Sequence, residues 1–291
     1  MLFTIKPEEE NLRLDKFLCK KFDISFALAQ KIIREKKVKL NGARADGATK
    51  IKEEDQVEVF TDLSKRLEKK SPTISTDKFK KFASYIIYED ENLAAIDKPS
   101  GLATQGGSGI DISVDDFISS KNWQLVHRLD KDTSGILLIA KDKKSADYLS
   151  EKFKNKTIQK TYLALVVGTL KKQEGEINIP LRKKILGKNE KIMPDYDEGK
   201  EAITHYKLLK NFYDFALLEL SPLTGRTHQL RVHCKEIGHA IVNDFKYGGK
   251  AVMTKDLSNR LCLHAQSIII EDYFGKKLEI KTKLPEFYPH F

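Results

Sequence analysis

A polar stretch from His127 to Gly135 runs directly into the apolar stretch from Ile136 to Ala140 and carries the carboxylate of Asp130. A short continuous apolar run is typical of a buried strand, and such a strand holds the groups beside it still. Asp130 is therefore expected at the rim of a pocket, where an ionised carboxylate can serve as a nucleophile. The alternative is that Asp130 only caps a turn, as Asp often does beside Thr, Ser and Gly.

Four stretches of this chain resemble, in the same order, the motifs of the RluA-type pseudouridine synthases. They are Lys98 to Gly101, His127 to Gly135, Gln159 to Val166 and Pro222 to His233. The resemblance covers nearly all of residues 85–291. It implies that Asp130 is the catalytic nucleophile and that Tyr162 is the active-site tyrosine of the family.

The chemistry implied by this resemblance requires few groups. Conversion of uridine to pseudouridine breaks the N1–C1′ bond and joins C5 to C1′, with no net oxidation, so no cofactor is expected. The nucleophile must stay ionised, and an adjacent cation favours the charged carboxylate. We expect Arg231 to be that cation, on a helix that begins near Thr227 and ends at Gly238, with Thr227 and Arg231 on one face.

The target base has to leave its RNA stack, and an aromatic ring can replace the lost stacking. Tyr162 is predicted to supply that ring, and its hydroxyl could help to remove the C5 proton. Arg128 is expected to fill the space left in the RNA or to bind phosphate. Further RNA contacts of the catalytic domain are predicted at Lys98, Arg226 and His228. Attack at C1′, attack at C6 and elimination to a glycal all remain open as routes.

Residues 11–60 are predicted to contain two helices, with Ser25 as a helix cap, and a tight turn at Asn41-Gly42. The apolar stripes of the two helices are Leu14, Phe17 and Leu18, and Leu28, Ile32 and Ile33. The segment is similar to an S4 RNA-binding domain, both around Arg13 to Leu18 and from Gln30 to Gly42.

Lys31, Arg34 and Lys37 are predicted to lie on one broad helix face, which Lys39 extends into the next strand. Such a face suits the phosphates of a folded RNA, although a merely solvent-exposed helix face is the alternative. The family usually has Arg where this chain has Phe26. The predicted RNA-binding residues of this segment are Arg13, Lys16, Lys31, Arg34, Lys37 and Lys39.

The charge of the chain also favours a polyanionic partner. The formal net charge is +10, and residues 1–82 carry 20 Lys and Arg against 14 Asp and Glu, so the excess is denser in the first part. Residues 61–82 are polar and Lys-rich, which predicts a flexible basic linker. No apolar run approaches the roughly 20 residues of a membrane span, and the start lacks a signal-peptide core, so we expect a cytoplasmic protein.

Other sequence features point away from metal and nucleotide sites. The three cysteines Cys19, Cys234 and Cys262 lack CxxC spacing and are expected to be reduced thiols. His228, His233 and Cys234 fall on different helix faces, so no metal site is predicted. The glycine-rich loop from Gln105 to Gly109 lacks the Lys-Ser/Thr of a phosphate loop and is expected to line the RNA cleft.

The predicted fold is therefore α+β: a pseudouridine synthase fold at 83–291, with a large mixed, mostly antiparallel sheet and flanking helices, preceded by the small S4 domain. Strands are predicted around 85–88, 93–96, 136–140, 162–167, 215–220 and 267–270. A helix is predicted from Lys143 to Asn155 with Asp142 as its cap.

We interpret the chain as an RNA pseudouridine synthase that acts as a monomer. The glycine-rich loop, together with the Asp130 motif, is most similar to the RluC group, which modifies several uridines of 23S ribosomal RNA. Specificity like that of the RluD group is the alternative within the enzyme class. A non-catalytic RNA-binding or ribosome-assembly factor is the rival from another class.

Overall fold

The computed structural model of the chain describes residues 1–22, 24, 26–61, 74–107, 109–187, 189–249 and 260–288. The predicted helix cap Ser25, residues 62–73 of the predicted linker and Ser108 of the glycine-rich loop lie outside these residues. Two compact units are present, Met1–Thr73 and Ile74–Phe291. None of the described helices is long and apolar enough to cross a membrane.

The first unit packs two helices on a small antiparallel sheet with the strand order β1-β3-β2. Its elements are β1 (Leu2–Thr4), a 3-10 turn (Pro7–Glu9), α1 (Leu14–Phe22), α2 (Phe26–Arg34), β2 (Val38–Leu40) and β3 (Gln56–Val59). The apolar stripes predicted from the sequence face its core, where Leu14, Phe17, Leu18, Ile32 and Ile33 are buried. The predicted turn at Asn41-Gly42 is confirmed, and both residues have positive φ angles.

The second unit is built on a ten-stranded mixed sheet. Its main path is β4-β5-β7-β14-β8-β13-β12-β9, with β15 paired to β14 and β6 paired to β7. The strands are β4 (Ile86–Glu89), β5 (Leu93–Lys98), β6 (Gln124–Leu125), β7 (Ser134–Ala140), β8 (Ile158–Val167), β9 (Glu174–Asn178), β12 (Ile203–Asn211), β13 (Phe215–Pro222), β14 (Leu263–Tyr273) and β15 (Lys276–Lys281). Among the strands that the structure describes in this sheet, only β7 and β14 pair in parallel, which confirms the mostly antiparallel sheet.

Four helices and one separate hairpin complete the second unit among its described residues. They are α3 (Thr76–Ala83), α4 (Val114–Ser119), α5 (Lys143–Lys154), α6 (Gln229–Glu236) and the hairpin of β10 (Leu181–Leu186) and β11 (Asn189–Pro194). The helix α5 begins as predicted, because the Asp142 side chain accepts a hydrogen bond from the Ser145 amide.

The predicted basic linker at 61–82 needs a correction at its end. Residues 76–82 belong to α3, which is capped by Ser75 and belongs to the second unit. The ring of Phe82 is buried and stacks on Phe117 of α4, with 4.5 Å between the ring centroids. The apolar side of a short amphipathic helix needs only two or three residues. In a lysine-rich segment such a weak pattern does not stand out, so the sequence does not predict this helix.

The strand β7 follows directly on the turn of Asp130 and is buried on both faces. Ile136 and Leu138 face one part of the core, whereas Leu137 and Ile139 face the other. Gly135 has a φ angle of 104°, and a Cβ atom there would lie 2.2 Å from the Ala265 carbonyl oxygen. Glycine is therefore required where β7 and β14 come together, directly beside that turn.

Candidate active site

The turn that carries Asp130 is held from behind by the segment that follows β5. The Thr104 hydroxyl donates to the Leu129 carbonyl at 2.7 Å, and the Ser100 hydroxyl donates to the Asp132 carbonyl at 2.7 Å. The Thr133 amide closes the turn on the carbonyl of Asp130 itself. Because hydrogen bonds fix the backbone on both sides of Asp130, its carboxylate is presented in a defined direction.

Lys98 contributes to the same support, which contradicts its predicted role in RNA binding. Its side chain is fully buried, and Nζ donates to the carbonyl oxygens of Pro99, Leu102 and Lys131. Burial lowers the pKa of Lys98 to about 8. An ammonium group enclosed by three carbonyl groups cannot reach a phosphate, so Lys98 holds the turn of Asp130 in place.

Asp130 opens into a cleft of about 100 Å³ whose wall includes Arg128, Tyr162, Arg226, His228 and Arg231. The Asp130 side chain has a relative solvent exposure of 25%. The Arg231 Nη1 atom lies 3.8 Å from Asp130 Oδ2, and the His228 Nε2 atom lies 3.9 Å from Asp130 Oδ1. The structure therefore brings together the three residues for which the sequence predicts catalytic roles.

The main partner of Arg231 is Asp244, which the sequence reasoning did not assign. Arg231 Nε and Nη2 donate to the two Asp244 oxygens at 2.8 and 2.7 Å. Burial disfavours the charge on Arg231, but the hydrogen bonds and the charge of Asp244 outweigh burial, so the pKa of Arg231 lies above its ordinary value. Asp244 thus orients the guanidinium group so that its remaining nitrogen faces Asp130.

The helix that carries Arg231 differs from the prediction at its start. It begins at Gln229, after His228 in a left-handed conformation, so Thr227 precedes the helix and does not share a face with Arg231. Arg231 is also buried, at 5% relative exposure, because both faces of this short helix are covered. The predicted end is confirmed, since Ile237 caps the helix and Gly238 follows with a positive φ angle.

Tyr162 lies half-buried on β8 and lines the cleft with Asp130. Burial and the negative charge of Asp130 raise the pKa of its hydroxyl well above the usual value. The group is therefore a neutral phenol at physiological pH, suited to stacking and to hydrogen bonding. A phenolate base would have to form at an energetic cost in this environment.

Lys160 is a second residue of the cleft that the sequence reasoning passed over. It lies two positions before Tyr162 on the same strand, so the two side chains share one face of the sheet. Burial lowers the pKa of Lys160, and it makes no hydrogen bond or ion pair within the part of the chain that the structure describes. The period-two spacing from Tyr162 was a signal that could have identified it.

The other predicted RNA-binding residues of the second unit occupy the rim. Arg128 is exposed beside Asp130, and Arg226 is exposed with its Nε donating to the Glu201 carbonyl at 2.9 Å. His228 is less accessible, because its Nδ1 lies 2.6 Å from the Tyr247 hydroxyl. Arg128 and Arg226 therefore remain available to a ligand.

In the first unit the predicted basic residues all reach the surface, but several have local partners. Arg13 makes two hydrogen bonds to the buried Asp15, and Lys31 and Lys37 both pair with Glu35. Lys16 lies over the ring of Phe26, and Lys39 lies over the ring of Phe60. Arg34 is exposed at the end of α2, and Lys37 lies beyond that helix, so the predicted single helix face is wrong at Lys37.

Two histidines, His127 and the buried His264, keep the strand β7 in place and give the fold a pH dependence. His127 Nε2 accepts the Leu138 amide at 2.9 Å, and His264 Nδ1 lies 2.8 Å from the Ser134 hydroxyl. Burial lowers the pKa of His127 to about 3 and that of His264 to about 4. Both rings are therefore neutral in the folded protein at neutral pH.

We expect the free energy of unfolding to fall as the pH is lowered from about 6.5 toward 4. The unfolded chain then binds protons that the folded rings reject, and each histidine contributes up to about 1.4 kcal/mol per pH unit. Urea unfolding at pH 7, 6 and 5 measures this slope, and His264→Gln should reduce it by about one proton. An unchanged slope in that variant would contradict the assignment of a neutral buried His264.

Comparison with known proteins agrees with this geometry. Residues 92–236 match the family model described as RNA pseudouridylate synthase, and residues 12–57 match that of the S4 domain. The chain belongs to the RNA pseudouridylate synthase family, whose members are isomerases that convert uridine in RNA to pseudouridine.

Two similar relatives carry the name ribosomal large subunit pseudouridine synthase C. The protein of Rickettsia felis is 41% identical over 300 residues, covering 95% of this chain and 94% of the relative. That of Buchnera aphidicola from Schizaphis graminum is 36% identical over 301 residues, covering 100% and 96%. Among solved structures, human RNA pseudouridylate synthase domain containing 4 superposes with a TM-score of 0.60 at 27% identity, covering 72% of this chain and 92% of that one.

Proposed function

We propose that this chain isomerises specific uridines of 23S ribosomal RNA, with specificity like that of the RluC group, as a cytoplasmic monomer. The observation that carries the proposal is the placement of Asp130 between Arg231 and His228 in a cleft that Tyr162 also lines. Relatives whose printed names refer to the ribosomal large subunit support the substrate class.

The groups in the cleft suit each stage of the reaction. The Arg231 guanidinium faces the carboxylate of Asp130, which acts as the nucleophile on the everted uridine. The N1–C1′ bond breaks, the uracil turns, and the C5–C1′ bond forms. The proton lost from C5 is balanced by a proton gained at N1, so the reaction neither consumes nor releases any other group.

The remaining residues hold the RNA and the base. Tyr162 stacks on the everted uracil, which recovers about 1–3 kcal/mol of the stacking lost from the RNA. Arg128 at the rim fills the space left by the base or binds a neighbouring phosphate. The exposed cations of the first unit, among them Lys16, Arg34 and Lys39, anchor the RNA through its phosphates.

Mapping of pseudouridine on ribosomal RNA tests the proposal. The full chain is incubated with unmodified large-subunit RNA, pseudouridines are labelled with carbodiimide, and reverse-transcription stops are located. We expect stops at a few uridines of the large-subunit RNA and none on a small-subunit transcript used as the control. An absence of stops on the large-subunit RNA would favour a non-catalytic binding role, and the positions of any stops distinguish RluC-like from RluD-like specificity.

A further inference from the structure

The hydroxyl of Tyr247 lies between the hairpin of β10 and β11 and His228. It accepts a hydrogen bond from the Ile192 amide at 3.4 Å, and it lies 2.6 Å from His228 Nδ1. Burial raises the pKa of Tyr247 to about 12, so the hydroxyl keeps its proton at neutral pH. Within the described part of the chain Nδ1 is the only acceptor in reach of this hydroxyl, which favours donation from the Tyr247 O–H to His228 Nδ1.

This donation determines which nitrogen of His228 carries its proton. Burial lowers the pKa of His228, although the negative charge of Asp130 opposes this effect, so the ring is neutral at physiological pH. A neutral imidazole whose Nδ1 accepts a hydrogen bond must carry its proton on Nε2. Nε2 is the nitrogen that faces Asp130 Oδ1, at 3.9 Å.

Asp130 thus has one N–H donor directed toward each carboxylate oxygen. Arg231 Nη1 faces Oδ2 at 3.8 Å, and His228 Nε2 faces Oδ1. Both distances are longer than a hydrogen bond, which needs about 3 Å. Catalytic hydrogen bonds are often long in the free enzyme and tighten only in the complex with substrate.

Tyr247 also contacts Arg231, the second donor, and Asp244, which orients Arg231. Its ring centroid lies 5.2 Å from the Arg231 guanidinium carbon, and its amide donates to Asp244 Oδ1 at 3.2 Å. On the other side, Lys191 of β11 lies over the same ring at 5.4 Å. One side chain therefore connects the basic hairpin with both donors of Asp130.

We propose that His228 is a positioning residue for Asp130, donating from Nε2–H, and that Tyr247 sets this tautomer. This inference rests on the proposed role of Asp130 as nucleophile, and it gives His228 a different task from the RNA contact predicted from the sequence. With a donor on each oxygen, the carboxylate cannot rotate freely, and the lone pair that attacks is held in one direction. The His228 ring acts through Asp130 and needs no contact with the RNA.

Two substitutions at His228 distinguish the role of its Nδ1 atom from that of its Nε2 atom. In His228→Asn the amide oxygen takes the place of Nδ1 and accepts from Tyr247, but the side chain is too short to reach Asp130. In His228→Gln the amide nitrogen can reach the place of Nε2 and restore the donor. His205→Asn is the matched control, because His205 is exposed and paired with Glu176 on the edge of the sheet.

Single-turnover rates and RNA dissociation constants give the decisive comparison. We expect His228→Asn to lose roughly 10- to 100-fold in rate, as for a lost hydrogen bond to a charged group. His228→Gln should keep most of the rate, His205→Asn should match the unsubstituted protein, and RNA affinity should be equal in all four proteins. Equal rates in the Asn and Gln variants, or a loss that appears in affinity, would overturn the proposal.

Nitrogen-15 NMR of the full chain with labelled histidine tests the tautomer without any activity measurement. We expect His228, assigned by its absence in His228→Gln, to show a protonated Nε2 and an unprotonated Nδ1. In Tyr247→Phe this signal should move toward a mixture of tautomers. A protonated Nδ1 in the unsubstituted protein would refute the inference, whereas failure to form pseudouridine with the expected tautomer present would refute only the proposed function.

Discussion

Asp130→Asn is expected to lower the single-turnover rate of pseudouridine formation by at least about 10⁴-fold, the scale on which enzymes lose activity without their nucleophile. The amide has nearly the same shape as the carboxylate but cannot attack the sugar or the base. Arg231 remains paired with Asp244 in this variant, so the fold and the cleft should persist. The rate is measured on the large-subunit RNA sites that the unsubstituted protein modifies.

Affinity for RNA should not fall in Asp130→Asn, because a negative charge near the phosphates has been removed. The matched control is Asp132→Asn, which changes an exposed Asp of the same turn whose carbonyl, not its side chain, holds Ser100. We expect the control to retain its rate. Activity that survives in Asp130→Asn, or is lost equally in Asp132→Asn, would contradict the role of Asp130.

Asp244→Asn is expected to lower the free energy of unfolding by about 3 kcal/mol, because it leaves the Arg231 charge buried without its main partner. The Arg231 side chain is only 6% exposed, so water cannot replace the lost carboxylate. The guanidinium can then turn toward Asp130 and pair with its carboxylate. Because the paired carboxylate is a poorer nucleophile, the rate of pseudouridine formation should fall as well. Urea unfolding and single-turnover kinetics measure the two effects.

A double-mutant cycle with Arg231→Met separates this pair from the other contacts of Asp244. Its Oδ1 also accepts the amides of Lys246 and Tyr247, and Asp244→Asn should retain part of that role. If the ion pair dominates, the double variant loses much less stability than the sum of the two single variants. Additive losses would show that Asp244 acts mainly as a backbone cap.

The elements predictable from the sequence are those whose signals are local. A continuous apolar run predicts the strand β7, and the helical spacing of Ala146 and Leu149 predicts the helix α5. The hairpin of β10 and β11 has no such signal, because apolar and polar residues do not alternate along its strands, and the sequence analysis does not predict it. Its apolar anchors pack against Tyr247 and Val232, which are distant in sequence.

The candidate site follows the same rule. Asp130, Tyr162 and Arg231 can be predicted as site residues because each lies within a motif, although their grouping around one cleft depends on the fold. The RNA-binding role predicted for Lys98 is wrong, because three backbone carbonyl groups from two loops surround its ammonium group. Residue types do not indicate where backbone carbonyl groups lie, so the sequence gives no sign of these contacts. Asp244 was missed as a partner because it pairs across 13 residues.

A crystal structure of the full chain with an RNA that carries 5-fluorouridine at a mapped site tests the central claim most directly. We expect the modified nucleotide to be everted into the cleft, with its base on the Tyr162 ring and an Asp130 oxygen beside the sugar or the base. The Arg231 and His228 contacts to that carboxylate should have shortened to hydrogen bonds. A nucleotide that stays in the RNA stack, or that binds away from Asp130, would contradict this account of the site.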